Sequence, residues 1–115
     1  MSTRWQIAAK LSDGRCACIY LHSDGYPSHA LETLKNHYTN QEKIDRLIAL
    51  GDCLGIGPEI VDCAPFSTAT DSSYGEDTSP TYGKSLKAVA DQHRHGDERH
   101  RYFWNGTKWR EAYFS

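Results

Sequence analysis

Hydrophobic and polar residues alternate with a period of two near both ends of this chain, and recur with the helical period between them. Residues 4–11 (Arg-Trp-Gln-Ile-Ala-Ala-Lys-Leu) and 15–22 (Arg-Cys-Ala-Cys-Ile-Tyr-Leu-His) flank Ser12-Asp13-Gly14. An Asp-Gly pair between two β-like runs predicts a hairpin, because a two-residue type I′ turn needs φ > 0 at both central positions. With Asp13-Gly14 as the turn, Leu11 faces Cys16, Ala9 faces Cys18, Ile7 faces Tyr20 and Trp5 faces His22. Those eight residues then share the core side of a sheet, since side chains alternate along a strand. Near the C-terminus, Tyr102-Phe-Trp-Asn-Gly-Thr-Lys-Trp109 predicts a second hairpin around Asn105-Gly106. Its register puts Tyr102, Trp104, Thr107 and Trp109 on one face, where a cross-strand aromatic pair such as Tyr102–Trp109 adds up to ~1 kcal/mol.

Between the hairpins, Ser23-Asp-Gly-Tyr-Pro27 breaks the first sheet segment and Ser28 can cap a helix. Leu31, Leu34 and Tyr38 then recur at helical spacing with Ala30 beside them. Thr39-Asn-Gln-Glu42 matches a capping box, and Ile44, Leu47 and Ile48 form the inward stripe of a second helix. Glu42 and Arg46 are spaced i,i+4 on its wet side, and Gly51 suits the residue after the helix. Residues 52–59 must be a loop, and 60–66 could form a short strand. Residues 67–83, rich in Ser, Thr, Gly and Asp, are expected as a flexible loop or a weakly ordered edge strand. Residues 85–92 have modest helical character. The expected fold is α+β: one domain over residues 1–115, with an antiparallel sheet built from the two hairpins and the short helix pair packed on one face.

Composition narrows the function classes. With 115 residues the chain can bury roughly two thirds of its unfolded surface, enough for one core. Only 38% of residues are hydrophobic, but three Trp, seven Tyr and three Phe supply much of the buried mass. A net charge of −2 and a pI near 6.3 give no field that gathers nucleic acid, so direct nucleic-acid binding is not expected. The one basic cluster, residues 93–101, is diluted by Asp97 and Glu98. No apolar segment resembles a signal peptide or reaches the ~20 residues of a membrane span, so a cytoplasmic protein with reduced thiols is expected.

Candidate chemistry is sparse. Cys16, Cys18, Cys53 and Cys63 lack the C-x2-4-C knuckle of structural zinc sites, and Cys16-Ala-Cys18 lies in a strand, so they read as core thiols. His93, His95 and His100 form a second potential ligand set in a polar segment. Asp24 and Asp52 could serve as acid/base carboxylates, but each adjoins Gly, which points to turn chemistry. No G-x-S-x-G elbow, P-loop or dinucleotide fingerprint is present, so no catalytic residue, metal or cofactor is assigned. What remains is the turn Tyr20-x-His22-x-Asp24-Gly25-Tyr26-Pro27. There aromatic, polar and backbone-exposing groups meet at a strand end, which suits recognition. The competing reading is purely local: His22 and Asp24 hydrogen-bond to neighbours and Tyr26-Pro27 fixes the helix entry. The candidate binding residues are His22, Asp24, Tyr26, His29 and Trp104.

The pattern Met1-Ser-Thr-Arg4, Ile7-Ala8, Asp13-Gly14, Ile19-Tyr20, His22, Asp24-Gly25-Tyr26-Pro27, Leu47-Ile48-Ala49-Leu50-Gly51-Asp52 and Leu54-Gly-x-Gly-Pro-Glu59 resembles a family of small proteins found in phages and prophages. The ending Phe103-Trp104-Asn-Gly-x-Lys-Trp109 resembles that family's aromatic–turn–Trp terminus. The resemblance spans nearly the whole chain and is weakest over residues 61–100. It implies an accessory protein that acts by binding. Such a protein would inhibit a host defence complex, as anti-CRISPR and similar counter-defence proteins do, with a host protein as partner. The alternative is a nucleotide or small-molecule sponge, with Tyr26 and Trp104 stacking a base and Gly55–Gly57 amides holding phosphate. A metal-dependent hydrolase using His22 and Asp24 is the third reading. An exposed hairpin edge would favour pairing into a homodimer.

Overall fold

The computed structural model describes residues 3–66 and 78–113. One sheet contains β1 (Trp5–Lys10), β2 (Cys16–Leu21), β3 (Thr81–Gly83), β4 (His100–Trp104) and β5 (Trp109–Ala112), in the order β3-β2-β1-β4-β5. Helices α1 (Ala30–His37) and α2 (Gln41–Ala49) cover one face, and α3 (Leu86–Gln92) packs on β1 and β2 from the other. The class is the expected α+β, with both hairpins in one sheet and the helix pair together on one side. The sheet is mixed, however. The hairpins meet through a parallel β1–β4 pair running from Trp5↔His100 to Ala9↔Trp104. The long helical connection between β2 and β4 permits this, because parallel neighbours need a crossover of a dozen or more residues.

The first hairpin departs from its expected register by one residue. β1 and β2 pair from Trp5↔Leu21 to Lys10↔Cys16. Leu11 N donates to Arg15 O (2.7 Å) and Gly14 N to Leu11 O (3.0 Å), so the loop is Ser12–Gly14, three residues rather than two. Gly14 sits at φ +90°, as the left-handed residue after a type I turn should. The Asp13 carboxylate accepts the Arg15 amide (2.9 Å) and favours that turn over type I′. A slip of one residue exchanges the faces of β2. Trp5, Ile7 and Ala9 now join Ala17, Ile19 and Leu21 under the helix pair, while Ala8, Cys16 and Cys18 lie under α3.

The second hairpin differs by an even shift and keeps its faces. Its loop is Asn105–Lys108, with Asn105 Oδ1 accepting the Thr107 and Lys108 amides (2.9 and 3.0 Å). Trp104 therefore opposes Trp109 and Tyr102 opposes Glu111, and the three aromatics remain on the helix-pair side. Aromatic tips tie that side together. Trp109 Nε1 donates to Tyr38 O (2.7 Å), Trp104 Nε1 to Gln41 Oε1 (2.9 Å), and the Tyr38 hydroxyl to Gly57 O (2.8 Å).

Local expectations hold in part. The stripe Ile44, Leu47 and Ile48 is buried, Arg46 pairs with Glu42 (2.7 Å), and Gly51 follows α2 at φ +77°. The α2 cap is Asn40, accepting the Lys43 amide (3.2 Å), rather than Thr39. Helix α1 begins after His29 with no side-chain cap, so Ser28 is not its cap. Ile60–Asp62 is a turn of 3₁₀ helix instead of a strand, with Glu59 and Asp62 capping each other's backbone. Of residues 67–83, those numbered 67–77 lie outside the described residues, and Thr81–Gly83 forms the edge strand opposite Cys16–Cys18. Among the described residues, no helix is long and apolar enough to cross a membrane.

Candidate functional site

The α3 side of the sheet ends in a cluster of ionisable side chains. β3 covers only the first half of β2, and residues 52–54 take over along the rest. Cys53 N donates to Tyr20 O (2.9 Å), His22 N to Cys53 O (3.1 Å) and Ser23 N to Leu54 O (3.1 Å). This run delivers the Asp52 carboxylate to the Tyr20 amide, which Oδ1 accepts at 2.9 Å, and Asp52 is buried there. The Asp52 backbone is held too, its amide by Thr78 O (2.8 Å) and its carbonyl by the Phe66 amide (3.0 Å).

Helix α3 ends at His93 over this carboxylate. His93 Nε2 lies 2.7 Å from Asp52 Oδ1, and Nδ1 lies 2.7 Å from the Thr81 hydroxyl on β3. Two residues on, the His95 ring stacks on Tyr20 with centroids 4.1 Å apart and planes 27° from parallel. Buried Glu98 fixes that turn by accepting the His95 and Gly96 amides, each at 2.8 Å. One ligand atom from each of Asp52, His93 and His95 lies within 4.8 Å of the other two. The cluster continues outward. The Tyr20 hydroxyl is 3.3 Å from His22 Nδ1, Arg4 Nε reaches the same nitrogen (3.4 Å), and Arg4 pairs with Asp97 (3.0 Å). Burial, with the Asp97 charge next, pushes the Tyr20 hydroxyl up to about 12. Burial and then the Arg4 charge hold His22 below the usual imidazole value.

Around this end of the sheet runs the turn at residues 22–28. It is rigid for identifiable reasons. Trp5 Nε1 donates to Ser23 O (2.8 Å), Gly25 N to Thr3 O (3.0 Å) and the Tyr102 hydroxyl to Gly25 O (2.6 Å). A Cβ on Gly25 would stand 2.5 Å from the Trp5 indole, so only glycine fits. Asp24 adopts φ +64°, a conformation that Asp tolerates. Tyr26 then projects, 44% exposed, beside an open cleft of about 750 Å³ lined by Thr3, Arg4, Asp97, Arg99 and His100 among others.

The expected site residues divide. His22, Asp24, Tyr26 and His29 gather at this end, with the His29 ring 6.1 Å from Tyr26. Trp104 lies at the far end of β4, 3% exposed, with its indole committed to Gln41. His100 points to the other face, where it meets Glu111 (2.8 Å) and stacks on Tyr102, so it does not join His93 and His95. Asp52 takes that place instead. Cys16, Cys18, Cys53 and Cys63 are buried and free, and burial raises the thiols of Cys16, Cys18 and Cys53, which suppresses nucleophilic thiolate. The Gly55–Gly57 loop, whose amides are the expected phosphate holders, is anchored through its carbonyls, Gly55 O accepting Ala64 N (3.2 Å) and Gly57 O the Tyr38 hydroxyl (2.8 Å), contacts that do not involve those amides.

Sequence reasoning placed Tyr20 in the candidate turn but not among the binding residues, missed Thr81 and Glu98, and favoured turn chemistry for Asp52. Asp52 meets Tyr20 and His93 across 32 and 41 positions, for which no local signal exists beyond the Gly51-Asp52 step after a helix end, whereas Thr81 lies twelve positions from His93 and Glu98 only three from His95. No protein-family model matches this chain, and comparison with curated proteins and with solved structures finds no match either.

Proposed function

We propose that this protein acts by binding, as a phage-type accessory protein that inhibits a host defence complex in the host cytoplasm, of the anti-CRISPR or a similar counter-defence kind. Its motif resemblance supplies the class, and one observation supports recognition as the mode: the Tyr26 turn. A large aromatic ring stands 44% exposed on backbone that Trp5, Tyr102 and Thr3 hold in place. Rigid aromatics lose little entropy on docking and dominate interface energies. The neighbouring cleft carries both charge signs through Arg4, Arg99 and Asp97, the composition of a polar rim around an anchor. The nucleotide alternative keeps Tyr26 but loses support at its second stacking ring, because Trp104 is only 3% exposed and its indole is committed to Gln41.

Affinity capture from host lysate with tagged wild-type, Tyr26→Ala and Lys108→Glu proteins tests this reading. Lys108 is exposed in the opposite loop and serves as the control. We expect one stoichiometric host protein with the wild type and Lys108→Glu, and about 30-fold weaker binding with Tyr26→Ala, as for an interface hot spot. A partner retained equally by all three, or none with any, contradicts it.

A further inference from the structure

We propose that Asp52, His93 and His95 bind a divalent transition cation of the zinc class, with the protein filling three coordination positions and leaving the next one open. One carboxylate and two imidazoles are ligands that suit Zn²⁺ and its first-row neighbours better than Mg²⁺ or Ca²⁺. The three donor atoms lie within 4.8 Å of one another. Tetrahedral zinc with bonds near 2.0–2.2 Å places its donors about 3.3–3.5 Å apart, so small side-chain rotations close the site. Three protein ligands with a free position describe an open site rather than a closed structural one.

The surroundings hold each donor as metal sites do. A ligating imidazole normally gives its second ring N–H to an oxygen, which fixes tautomer and orientation. Thr81 Oγ1 stands 2.7 Å from His93 Nδ1 for that purpose. At 2.7 Å the contact between His93 Nε2 and Asp52 Oδ1 is a hydrogen bond, which Nε2–H can donate while the Thr81 hydroxyl donates to Nδ1; a bound cation replaces that proton and spreads the two donor atoms to its own spacing. Asp52 is oriented by the Tyr20 amide, and His95 by its stack on Tyr20 and by the amides that Glu98 pins. The donors come from three separate segments, the loop after α2, the end of α3 and the turn before β4, so a bound ion cross-links all three. The last segment continues through Gly96 and Asp97 into the wall of the Tyr26 cleft, which links the ion to that surface.

Calorimetric titration of chelator-stripped full-length protein with ZnCl2, paired with melting curves and the absorption spectrum of the Co²⁺ form, tests the assignment. We expect one equivalent bound and a melting temperature raised by roughly 10 °C at a free concentration about 100 times Kd. The Co²⁺ spectrum should show nitrogen and oxygen ligation without a thiolate charge-transfer band. His95 is the exposed member, so His95→Ala should melt like the stripped wild type and lose at least about tenfold in affinity, as loss of a ligand requires. Asp52→Asn and His93→Gln should lose more. Failure of the wild type to bind, binding unchanged in His95→Ala, or a thiolate band each overturns the site. In those cases a proton alone joins Asp52 to His93, or the ion sits on cysteine.

Discussion

The two faces of the sheet are built on opposite plans. Under α1 and α2 lie Trp5, Ile7, Ile19, Leu21, Leu34, Tyr38, Ile44, Leu47, Tyr102 and Trp109, all close to fully buried, and the polar tips of the aromatics end on backbone carbonyls. Under α3 the apolar cluster is small; among the described residues it comprises Ala8, Cys16, Cys18, Val89, Ala90, Phe103 and Ala112 with Leu86 beside it. Buried polar groups fill the rest. Arg101 donates to Gln6 Oε1 (3.1 Å) and to Asp91 (2.9 Å), Gln6 donates to Ala90 O (2.8 Å), and the Asp52–His93–His95–Tyr20 cluster closes the end. Apolar burial is the dominant favourable term in folding, whereas buried charge returns little net stability. The helix-pair face therefore carries most of the stability, which leaves the α3 face free to hold ionisable groups together.

That division is open to attack from either side. Trp5→Ala on the helix-pair face should cost about 3–5 kcal/mol in chemical denaturation, since it empties a fully buried site and frees the Ser23 carbonyl. On the α3 face, Arg101→Met should cost only about 1–3 kcal/mol, mainly by stranding Gln6, because Asp91 is partly exposed and keeps its Lys87 partner (2.6 Å). Adding Gln6→Met should recover more than half of that loss. A double-variant cycle that returned no coupling would show that Gln6 and Arg101 are independent.

Smaller effects sharpen the contrast. Because burial and the Arg4 charge lower the His22 pKa on folding, neutral His22 stabilises the fold above the unfolded value near 6.5, and that contribution falls away as pH drops below it. Stability measured between pH 7.5 and 5 should decline, and His22→Asn should flatten the decline. The buried thiols should react slowly with an alkylating reagent at pH 8 and rapidly once the chain is unfolded; fast native labelling of Cys16 or Cys18 would show that α3 opens readily. Tyr26→Ala should change stability by no more than about 0.5 kcal/mol, since the ring is largely outside the core.

Much of this was legible in the sequence; the errors are of two kinds, local choices of turn length and cap, and pairings between distant segments. Periodicity marked both hairpins, both helices of the pair and their buried stripes, because each depends on residues within a few positions. The second hairpin survived a wrong turn length because its shift was even. The first did not survive, because Asp13 prefers to hydrogen-bond the Arg15 amide in a three-residue loop, and one extra residue sends Tyr20 to the α3 side. With Tyr20 assigned to the other face, its meeting with Asp52, His93 and His95 was invisible. The parallel β1–β4 seam likewise leaves no local trace, since it joins residues more than ninety positions apart.

The register of the first hairpin thus decides where the ionisable cluster forms, and nuclear Overhauser contacts of the Tyr20 ring measure it directly. The account predicts cross-peaks from the Tyr20 ring to the His95 ring, together with a cross-strand backbone contact between Gln6 and Tyr20. Cross-peaks from the Tyr20 ring to the side chains of Ile7 and Ile48 instead would place it beneath the helix pair and contradict the division of the two faces.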